Sequence, residues 1–390
     1  MAEGSVKRFI KKDGTPGAWY YVVDNGVDEK GKRRQEKKGG FRTQKEAQSA
    51  MRARLVAIES GVGVAPAKQT VGEYFEKWLA GMRGQVRPGT FQSYETIVKR
   101  HVIPHLGAKR LQNLTAEDVK AWYATIAAPT EDRPKGLAPK TVRNARVVMR
   151  KALGDAVVSG TLIRNPAALA KPLALRKVPM KTWTGEEVGA FLDFTAGDRM
   201  AAAWVLAAMT GMRRGEVLGL RWEDVDLERG RASVQQTLVS VAYKVQLSEP
   251  KTKAGKRSVP LEGRTVAALR SWRARQAAER LEWGPAWDDQ GRGLVFTRED
   301  GEWVHPDRFT QMFDLAVKRS GLRRIRLHDV RHTFASLALQ AGVSPKVVSE
   351  ILGHANIGIT LDTYSHVIPS MMENATAMVA ASIPTGGVAG

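Results

Sequence analysis

The sequence predicts a multidomain protein that is mainly α-helical and carries small β-sheets. Its 390 residues exceed one average domain and favour two or three. Two stretches separate regions of different pattern: residues 61–67 hold small residues and a proline, and residues 171–181 hold two prolines and four cations. Helical spacing of apolar residues dominates between these stretches, and strand-like pieces are short.

Residues 1–62 are predicted to form a small β-sheet with one helix. The strand-like stretch 18–23 lies between turn signals at Asp13-Gly14 and Asn25-Gly26. Thr43 and Glu46 form a capping-box pattern, which predicts that a helix begins there. A cluster of cations around a hairpin lies beside the aromatic strand and favours DNA contact over a merely solvated face. Its members are Lys30, Lys32, Arg33, Arg34, Lys37 and Lys38.

Residues 68–170 are predicted to form a helical domain. Helix-start patterns occur at 70–73 and 115–118, and apolar stripes at helical spacing run through 90–103 and 139–158. The last stripe has cations opposite it, and the following segment, 171–181, is predicted to be a basic linker. Candidate DNA contacts in these two regions are Arg143, Arg146, Arg150, Lys177 and Lys181.

Residues 182–368 are predicted to form a mixed α+β domain. A helix start at Thr184 is followed by helices up to residue 213, strand-like stretches at 232–245 and 257–261, and further helices. Residues 369–390 form a tail with an apolar stripe on a short predicted helix, which either docks on a neighbouring subunit or folds back on its own domain. The stripe comprises Met371, Met372, Ala375, Met378 and Val379.

Composition restricts the class of protein. The net charge of +21 and the pI near 10.2 favour a polyanionic partner such as nucleic acid, although a merely soluble basic protein is the alternative. The absence of cysteine excludes disulfides, thiolate metal sites and a thiol nucleophile. No secretory signal is visible, and the longest apolar run, 201–209, is about half of a bilayer span. We therefore expect a soluble, intracellular protein with no membrane partner.

Three short motifs carry side chains suited to phosphoryl transfer. A tyrosine can attack a phosphodiester, arginines can hold charge on the non-bridging oxygens, and histidines can move protons or donate hydrogen bonds. The motifs are Thr-Gly-Met-Arg-Arg-Gly-Glu at 210–216, His-Asp-Val-Arg at 328–331 and Leu-Gly-His, followed by a tyrosine, at 352–364.

Each of these residues also has a structural interpretation. Arg213 follows a predicted helix break, and Glu216 is near enough in sequence to orient its guanidinium, but an arginine in such a turn is often structural. A flexible lysine at Lys253, in a lysine-rich hairpin tip, could protonate a departing 5′ oxygen. Lys251 and Lys256 compete with it, and such a tip is also a common solubility device.

The helix-borne residues leave similar alternatives. His328 and Arg331 are predicted to leave one face at the start of a helix and to address one phosphate. His332 completes a His-Asp-Val-Arg-His sequence close to the His-Glu-x-x-His zinc motif, which leaves a metal site as a minor alternative. His354 follows a short helix capped by Ser344 and ended by Gly353, where surface histidines are common. Tyr364 could equally be a core aromatic residue.

Taken together, the ordered motifs resemble those of the tyrosine recombinase family, and more closely of phage-type integrases with an added N-terminal arm-binding domain. The resemblance covers nearly the whole chain and is strongest from 184 to 364. It implies that residues 1–62 bind arm sites, that 68–170 bind core-site DNA and that 182–368 form the catalytic domain. It implies that Arg213, Lys253, His328, Arg331, His354 and Tyr364 occupy the catalytic positions. It also implies DNA strand breakage and rejoining without metal, ATP or other cofactor. The sequence shows no nucleotide-binding loop, nucleophile elbow or two-metal acidic cluster.

The resemblance further implies a mechanism and partners. Tyr364 would form a 3′-phosphotyrosine, Arg213 and Arg331 would stabilise the transition state with His354, His328 would assist proton removal, and Lys253 would act as general acid. The expected partners are core and arm attachment sites in double-stranded DNA, a homotetramer, and possible accessory proteins, namely a DNA-bending host factor and an excisionase. The expected process is integration and excision of phage or mobile-element DNA in the bacterial cytoplasm, at the nucleoid. The alternatives are a topoisomerase-like relaxase and a non-catalytic architectural protein.

Overall fold

The structure is a computed structural model, and it describes residues 4–12, 14–27, 33–59, 68–170, 180–250 and 253–364, together with 379 and 382. It divides into two compact units, Met1–Arg176 and Lys177–Gly390. The described chain is mainly helical with small antiparallel sheets, so the predicted fold class is confirmed. Within these residues, no helix has the length and apolar character needed to cross a membrane.

The first unit begins with a three-stranded antiparallel sheet in the order β1-β2-β3, followed by one helix. Tyr21 and Val23 are buried, as is Ala47 on the helix, and these residues form the small core of this sheet and helix. The predicted capping box is confirmed, because Thr43 Oγ1 accepts from the Glu46 N–H, and the Glu46 carboxylate accepts from the Thr43 N–H. The elements are β1 (Gly4–Ile10), β2 (Pro16–Val27), β3 (Arg33–Phe41) and α1 (Gln44–Glu59).

One of the two turns predicted in this sheet is confirmed and the other is wrong. The Lys11 N–H donates to the Thr15 carbonyl across the first turn, in which Gly14 has φ of +77°. The second turn, at Asn25-Gly26, does not form there, because β2 continues to Val27. The pairing of β2 with β3 shifts register between Asp24 and Val27, so the chain passes through an irregular strand rather than a tight turn.

Helices form the rest of the first unit. Both predicted helix starts are confirmed as capping boxes, with Thr70 paired to Glu73 and Thr115 paired to Asp118. The predicted helix at 90–103 is interrupted by a π-helical segment, Val98–Val102, whose Val98 and Val102 side chains are buried. Phe75, Trp122 and other apolar residues form one core. The helices are α2 (Val71–Met82), α3 (Pro88–Ile97), α4 (Ile103–Leu106), α5 (Ala116–Ala127), α6 (Pro139–Val158) and α7 (Pro166–Leu169).

The second unit combines helices with two small sheets around one large apolar core that includes Trp204, Phe309 and Phe313. The capping box at Thr184 is confirmed by its hydrogen bonds with Glu187. Its elements are α8 (Gly185–Phe194), α9 (Ala201–Thr210), α10 (Arg214–Leu218), β4 (Val225–Asp226), β5 (Arg231–Val234), β6 (Thr237–Val241), β7 (Lys244–Ser248), β8 (Arg257–Pro260), α11 (Gly263–Trp283), α12 (Pro306–Ser320), α13 (Leu327–Gln340), α14 (Pro345–Leu352) and α15 (Ile357–Tyr364).

The strands pair differently from the expected lysine-tipped hairpin. β6 pairs with β7 through a turn at Ala242 and Tyr243, both of which have positive φ, while β8 pairs with β5 and not with β7. Residues 253–255 form a single 3₁₀ turn that leads into β8. The hairpin tip predicted around Lys253 is therefore wrong, because the partner of β8 lies before the β6–β7 hairpin in the chain.

Candidate active site

Arg213 is held at the junction of two helices. Gly211 ends α9 with φ of +60°, a conformation that glycine adopts without strain, and Arg213 then precedes α10 in an extended conformation. Its guanidinium donates to Glu216 Oε1 at 2.6 Å and to the Gly353 carbonyl at 3.3 Å. The side chain keeps 40% of its surface exposed, so it can meet a ligand while its orientation is fixed.

Glu216 orients two arginines rather than one. It is 4% exposed, and its carboxylate also accepts from Arg257 Nη2 at 2.8 Å and Nη1 at 3.2 Å. Burial opposes ionisation of Glu216 and is the largest influence, but the hydrogen bonds and charge of Arg257, with the charge of Arg213, outweigh it and lower the pKa. The ionised carboxylate is therefore the fixed point of this cation cluster. Arg257 was not selected from the sequence, where it is one of many arginines.

Arg331 and His328 lie on the first turns of α13, as predicted. Arg331 is 3% exposed and donates to the carbonyls of Gly211, at 2.8 Å, and Leu352, at 2.7 Å. Burial, followed by the charge of Arg213, lowers the pKa of Arg331 to about 9, so it remains charged at neutral pH. His328 lies at the protein surface with its ring packed on that of His332. Its partial loss of hydration, followed by the charge of Arg331, lowers its pKa. One face of the helix thus carries a fixed cation and a neutral imidazole.

His354 lies directly after α14, whose predicted caps are both confirmed: Ser344 caps the start, and Gly353 ends the helix with φ of +64°. The ring Nδ1 hydrogen-bonds Thr360 Oγ1 at 2.8 Å. Burial and the charges of Arg331 and Arg213 lower the pKa of His354 to about 4. The imidazole is neutral at pH 7 and is suited to hydrogen bonding. Thr360 was not selected from the sequence, because no motif marks it.

Tyr364 closes α15 and is buried, with 1% of its surface exposed. Its hydroxyl lies 2.8 Å from His332 Nδ1. Burial, partly offset by the charge of Arg331, raises the pKa of Tyr364 to about 12. The alternative that Tyr364 is a core aromatic residue is thus right about its burial. The phenol is nevertheless close enough to Arg331 for the charge of that arginine to lower its pKa.

The zinc-motif alternative does not fit this arrangement. Asp329, which replaces the glutamate of that motif, forms a two-pronged ion pair with Arg326 at 2.6 and 2.9 Å and is buried. His332 directs Nδ1 at the Tyr364 hydroxyl, and its ring meets that of His328 edge-to-face at 4.9 Å between centroids. The carboxylate and one imidazole nitrogen are therefore already engaged by protein groups.

The structure describes only some atoms of the three lysines that are candidates for the general acid. Lys253 begins the 3₁₀ turn 253–255, but its side chain and the whole of Lys251 lie outside the described residues. Lys256 pairs with Glu249 at 3.3 Å and is half exposed. The same turn lies against the end of α14, since a Cβ added at Gly353 would lie 2.7 Å from the Ala254 carbonyl. The segment that carries Lys253 therefore approaches the residue preceding His354.

The DNA-contact candidates lie apart from this site in sequence. In the β-sheet, Lys37 Nζ is 4.1 Å from the Tyr20 ring centroid, and Lys38 is exposed. On α6, Arg143 and Arg150 are exposed, and Arg146 is partly buried. Arg146 lies beside the apolar stripe rather than opposite it, since Val142 and Met149 are buried one turn before and after it. Lys181 is exposed. Three candidates lie outside the described residues, namely Lys30, Lys32 and Lys177, and so do the side chains of Arg33 and Arg34. Of the apolar stripe in the tail, the structure describes only Val379, which is exposed.

The structure therefore brings together five of the six predicted catalytic positions through a small set of contacts. Arg213 reaches the residue before His354, and Arg331 joins the end of α9 to the end of α14. His328 feels the charges of both arginines, and Tyr364 feels that of Arg331. Such a cluster of cations and neutral imidazoles around a phenol can bind a phosphodiester and stabilise charge developing on it. For the sixth position, Lys253, the structure describes only the backbone, which belongs to the turn beside Gly353.

Comparison with known proteins identifies the family. Residues 181–371 match the phage integrase family, 9–58 an arm DNA-binding domain, and 70–126 the N-terminal SAM-like domain of phage integrases. A tyrosine recombinase XerC-like protein of Caldanaerobacter subterraneus is 30% identical over 92% of this chain and 95% of its own. An integrase of Streptomyces ambofaciens is 29% identical over 91% of each chain.

Structural comparison gives the same result. The Tn1549 transposon integrase, solved in complex with transposon right end DNA, is 25% identical, covers 80% of this chain and 100% of its own, and has a TM-score of 0.67. The catalytic-domain match, the arm and SAM-like domains and the full-length relatives agree with the predicted family. The chain belongs to the tyrosine recombinase family of phage-type integrases, the enzymes that cleave and rejoin DNA in site-specific recombination.

Proposed function

We propose that Tyr364 is the nucleophile of this recombinase and that Arg213, Lys253, His328, Arg331 and His354 complete its active site. The observation that carries this proposal is the convergence on the end of α14, where Arg213 donates to the Gly353 carbonyl and Arg331 to the Leu352 carbonyl. Arg213 and Arg331, more than a hundred residues apart in the chain, thereby lie beside His354, and Arg331 also lies near the buried phenol of Tyr364.

The proposed reaction is a transesterification. The Tyr364 oxygen attacks a DNA phosphorus, the bond to the 5′ oxygen breaks, and the products are a 3′-phosphotyrosine and a free 5′ hydroxyl. Arg213 and Arg331 hold the non-bridging oxygens, and His354 adds a hydrogen bond. Lys253 gives a proton to the departing oxygen, and His328 faces the same phosphate.

The covalent bond conserves the energy of the phosphodiester. A 5′ hydroxyl from a second duplex can therefore attack the phosphotyrosine and release Tyr364, which joins new partners. The two arginines and His354 serve this reverse step as they serve the forward one, because both pass through the same crowded phosphorus.

We assign the DNA contacts by region. Residues 1–62 bind arm sites, 68–170 bind the core site together with the catalytic domain, 182–368, and 171–181 link the two as a basic segment. We further propose a homotetramer on two duplexes, with the tail, 369–390, docking on a neighbouring subunit. A DNA-bending host factor and an excisionase would direct integration or excision at the bacterial nucleoid, in the cytoplasm. The family matches over residues 9–58 and 70–126 support the division.

The test is the formation of a covalent adduct on a nicked attachment-site duplex, followed as an SDS-stable shift. We expect the wild-type chain to form it and Tyr364→Phe to form none, because phenylalanine keeps the ring but lacks the oxygen. Tyr243→Phe is the matched control, since Tyr243 lies in the same unit and is 87% exposed. An adduct formed by Tyr364→Phe would contradict the proposal.

A further inference from the structure

We propose that His332 accepts the proton of the Tyr364 hydroxyl when this enzyme cleaves DNA. The inference rests on the proposed role of Tyr364 as nucleophile. It assigns a catalytic contact to a residue outside the six positions named above, and it replaces the assistance to proton removal that the sequence analysis gave to His328.

The geometry carries the assignment. His332 Nδ1 lies 2.8 Å from the Tyr364 hydroxyl oxygen, with the ring centroids 5.8 Å apart. Because Tyr364 is 1% exposed, water does not compete for this hydroxyl. Among the residues that the structure describes, no hydrogen bond joins the hydroxyl to His328, which lies one helical turn before His332 and meets it edge-to-face. Of the two imidazoles on this helix, His332 is therefore the one within hydrogen-bond distance of the attacking oxygen.

Both partners of this hydrogen bond are neutral in the free protein. Burial raises the pKa of Tyr364 to about 12, so the phenol keeps its proton at pH 7. Burial, followed by His328, lowers the pKa of His332 to about 4, so its imidazole is neutral. A neutral imidazole has one protonated and one bare nitrogen, so Nδ1 can accept from the phenol in the tautomer that is protonated on Nε2. We assign that tautomer to His332.

The charged and titratable groups around His332 explain how its basicity changes with DNA. His328, Asp329 and Arg331 lie on the same helix, Arg326 precedes it, and His354 and Tyr364 approach from other segments; all of these groups act on His332 or are acted on by it. The cations disfavour an imidazolium in the free protein. A phosphate anion bound at the arginines offsets their charge and favours the imidazolium, so substrate binding raises the proton affinity of His332.

The step balances. As the phenolic oxygen bonds to phosphorus, its proton moves to His332 Nδ1 and gives an imidazolium. The bond from phosphorus to the 5′ oxygen breaks, and that oxygen takes a proton from the general acid proposed at Lys253. In the rejoining step the entering 5′ hydroxyl returns a proton to that acid, and His332 returns its proton to the departing phenolate.

The experiment compares single-turnover cleavage of a nicked duplex by full-length wild type and His332→Asn from pH 6.5 to 9.5. Asparagine places a polar atom near the position of Nδ1 but cannot take up a proton. We expect the variant to be about 100- to 1,000-fold slower at pH 7, in the range of general-base effects. The deficit should shrink by about tenfold per pH unit, because the phenolate fraction rises by that factor below the phenol pKa.

A second substrate separates the base from the acid. Sulfur in place of the bridging 5′ oxygen departs without protonation, so it relieves a defect in the general acid but not one in the proton acceptor. We expect His332→Asn to remain slow on this duplex and Lys253→Ala to recover. His305→Asn is the matched control: the Nδ1 of His305 caps α12 by accepting from the Asp307 N–H, a role that asparagine also performs.

Three results would overturn the inference: cleavage by His332→Asn within threefold of wild type, faster cleavage, or a deficit that stays constant with pH. A deficit that stays constant with pH would mean that His332 only provides a hydrogen-bond partner for the buried phenol and takes up no proton. These results differ from a failure of the proposed function, in which the wild type forms no adduct or Tyr364→Phe still forms one.

Discussion

At the scale of single residues, the site depends on one buried carboxylate that is surrounded by cations. Glu216 accepts from Arg213 and Arg257, and the second of these arginines also donates to the Ile351 carbonyl. A carboxylate removed from water stays ionised only where such partners offset the loss of hydration. The orientation of Arg213 is therefore a property of Glu216 as much as of the arginine itself.

Replacing this carboxylate should impair both folding and cleavage. We expect Glu216→Gln to lower the free energy of unfolding by about 3–5 kcal/mol, because two neighbouring guanidinium groups lose their counter-charge in a buried setting. DNA cleavage should fall even where the variant remains folded. Denaturant titration and the adduct assay measure the two effects. Glu223→Gln is the control, since Glu223 is 66% exposed in its pair with Arg221 and should change stability little.

Glu216 also gives stability a definite pH dependence. Its pKa is lowered on folding from an ordinary value of 4.5, so its contribution is present above that value and is lost as pH falls through the folded pKa. We expect acid unfolding of the wild type to include this loss, and Glu216→Gln to lack it. Parallel acid titrations followed by circular dichroism make the comparison. Curves of the same shape for both proteins would contradict the assignment.

His354 acts in a higher pH range. Its folded pKa of about 4 lies below its ordinary 6.5, so the unfolded chain binds the extra proton between these values. Stability should therefore fall as pH is lowered from about 6.5 towards 4, by up to about 3 kcal/mol for this residue. His354→Asn should show a shallower loss between pH 7 and 5 in denaturant titrations. An unchanged pH dependence would show that His354 is not held neutral.

At the scale of elements, helix ends position the cations. The carbonyls of Gly211, Leu352 and Gly353, at the ends of α9 and α14, accept from Arg331 and Arg213. Carbonyls at a helix end have no partner within the helix, and a guanidinium satisfies them while the helix dipole favours its charge. The glycines matter because both helices end in a left-handed residue.

Gly353 combines positive φ with close neighbours. We expect Gly353→Ala to cost about 1–3 kcal/mol from backbone strain, and to reduce cleavage further, since the added Cβ would lie 2.7 Å from the Ala254 carbonyl and 3.0 Å from Arg257. Gly342→Ala is the control, because φ there is +84° with nothing within 4 Å, so it tests strain alone. This positioning role would be contradicted if Gly353→Ala and Gly342→Ala reduced cleavage equally for the same loss of stability.

The elements also show what the sequence could predict. Caps at Thr70, Thr184 and Ser344 were predictable because capping depends on residues within four positions of each other. The pairing of β8 with β5 was not, because it joins strands separated by a hairpin. The partnership of His332 with Tyr364 was missed for the same reason: 32 residues separate them, and no local pattern marks the contact.

At the scale of the whole molecule, basic charge is distributed over several regions. The net charge of +21 includes exposed Lys38 in the sheet and exposed Arg143 and Arg150 on α6. Contacts between such side chains and phosphates release counterions, so their strength falls steeply with salt. The proposed catalytic residues account for little of this charge.

Removal of residues 1–60 should separate two activities. We expect the truncated chain to cleave a nicked core site at a rate near that of the full chain and to lose integration, because the arm-site contacts are assigned to the missing region. In the full chain, Lys37→Ala with Lys38→Ala should weaken binding to an arm site and reduce its salt dependence. Lys45→Ala, at an exposed position on α1, is the control. Loss of core-site cleavage on truncation would contradict the division.

In the proposed reaction, the phenolic oxygen of Tyr364, near the carboxyl end of the chain, becomes bonded to DNA. The most direct measurement is mass spectrometry of the SDS-stable adduct after digestion with nuclease and protease. We expect one modified peptide, with a nucleotide joined through its 3′ phosphate to Tyr364. A nucleotide attached to another residue, or joined through a 5′ phosphate, would contradict this account.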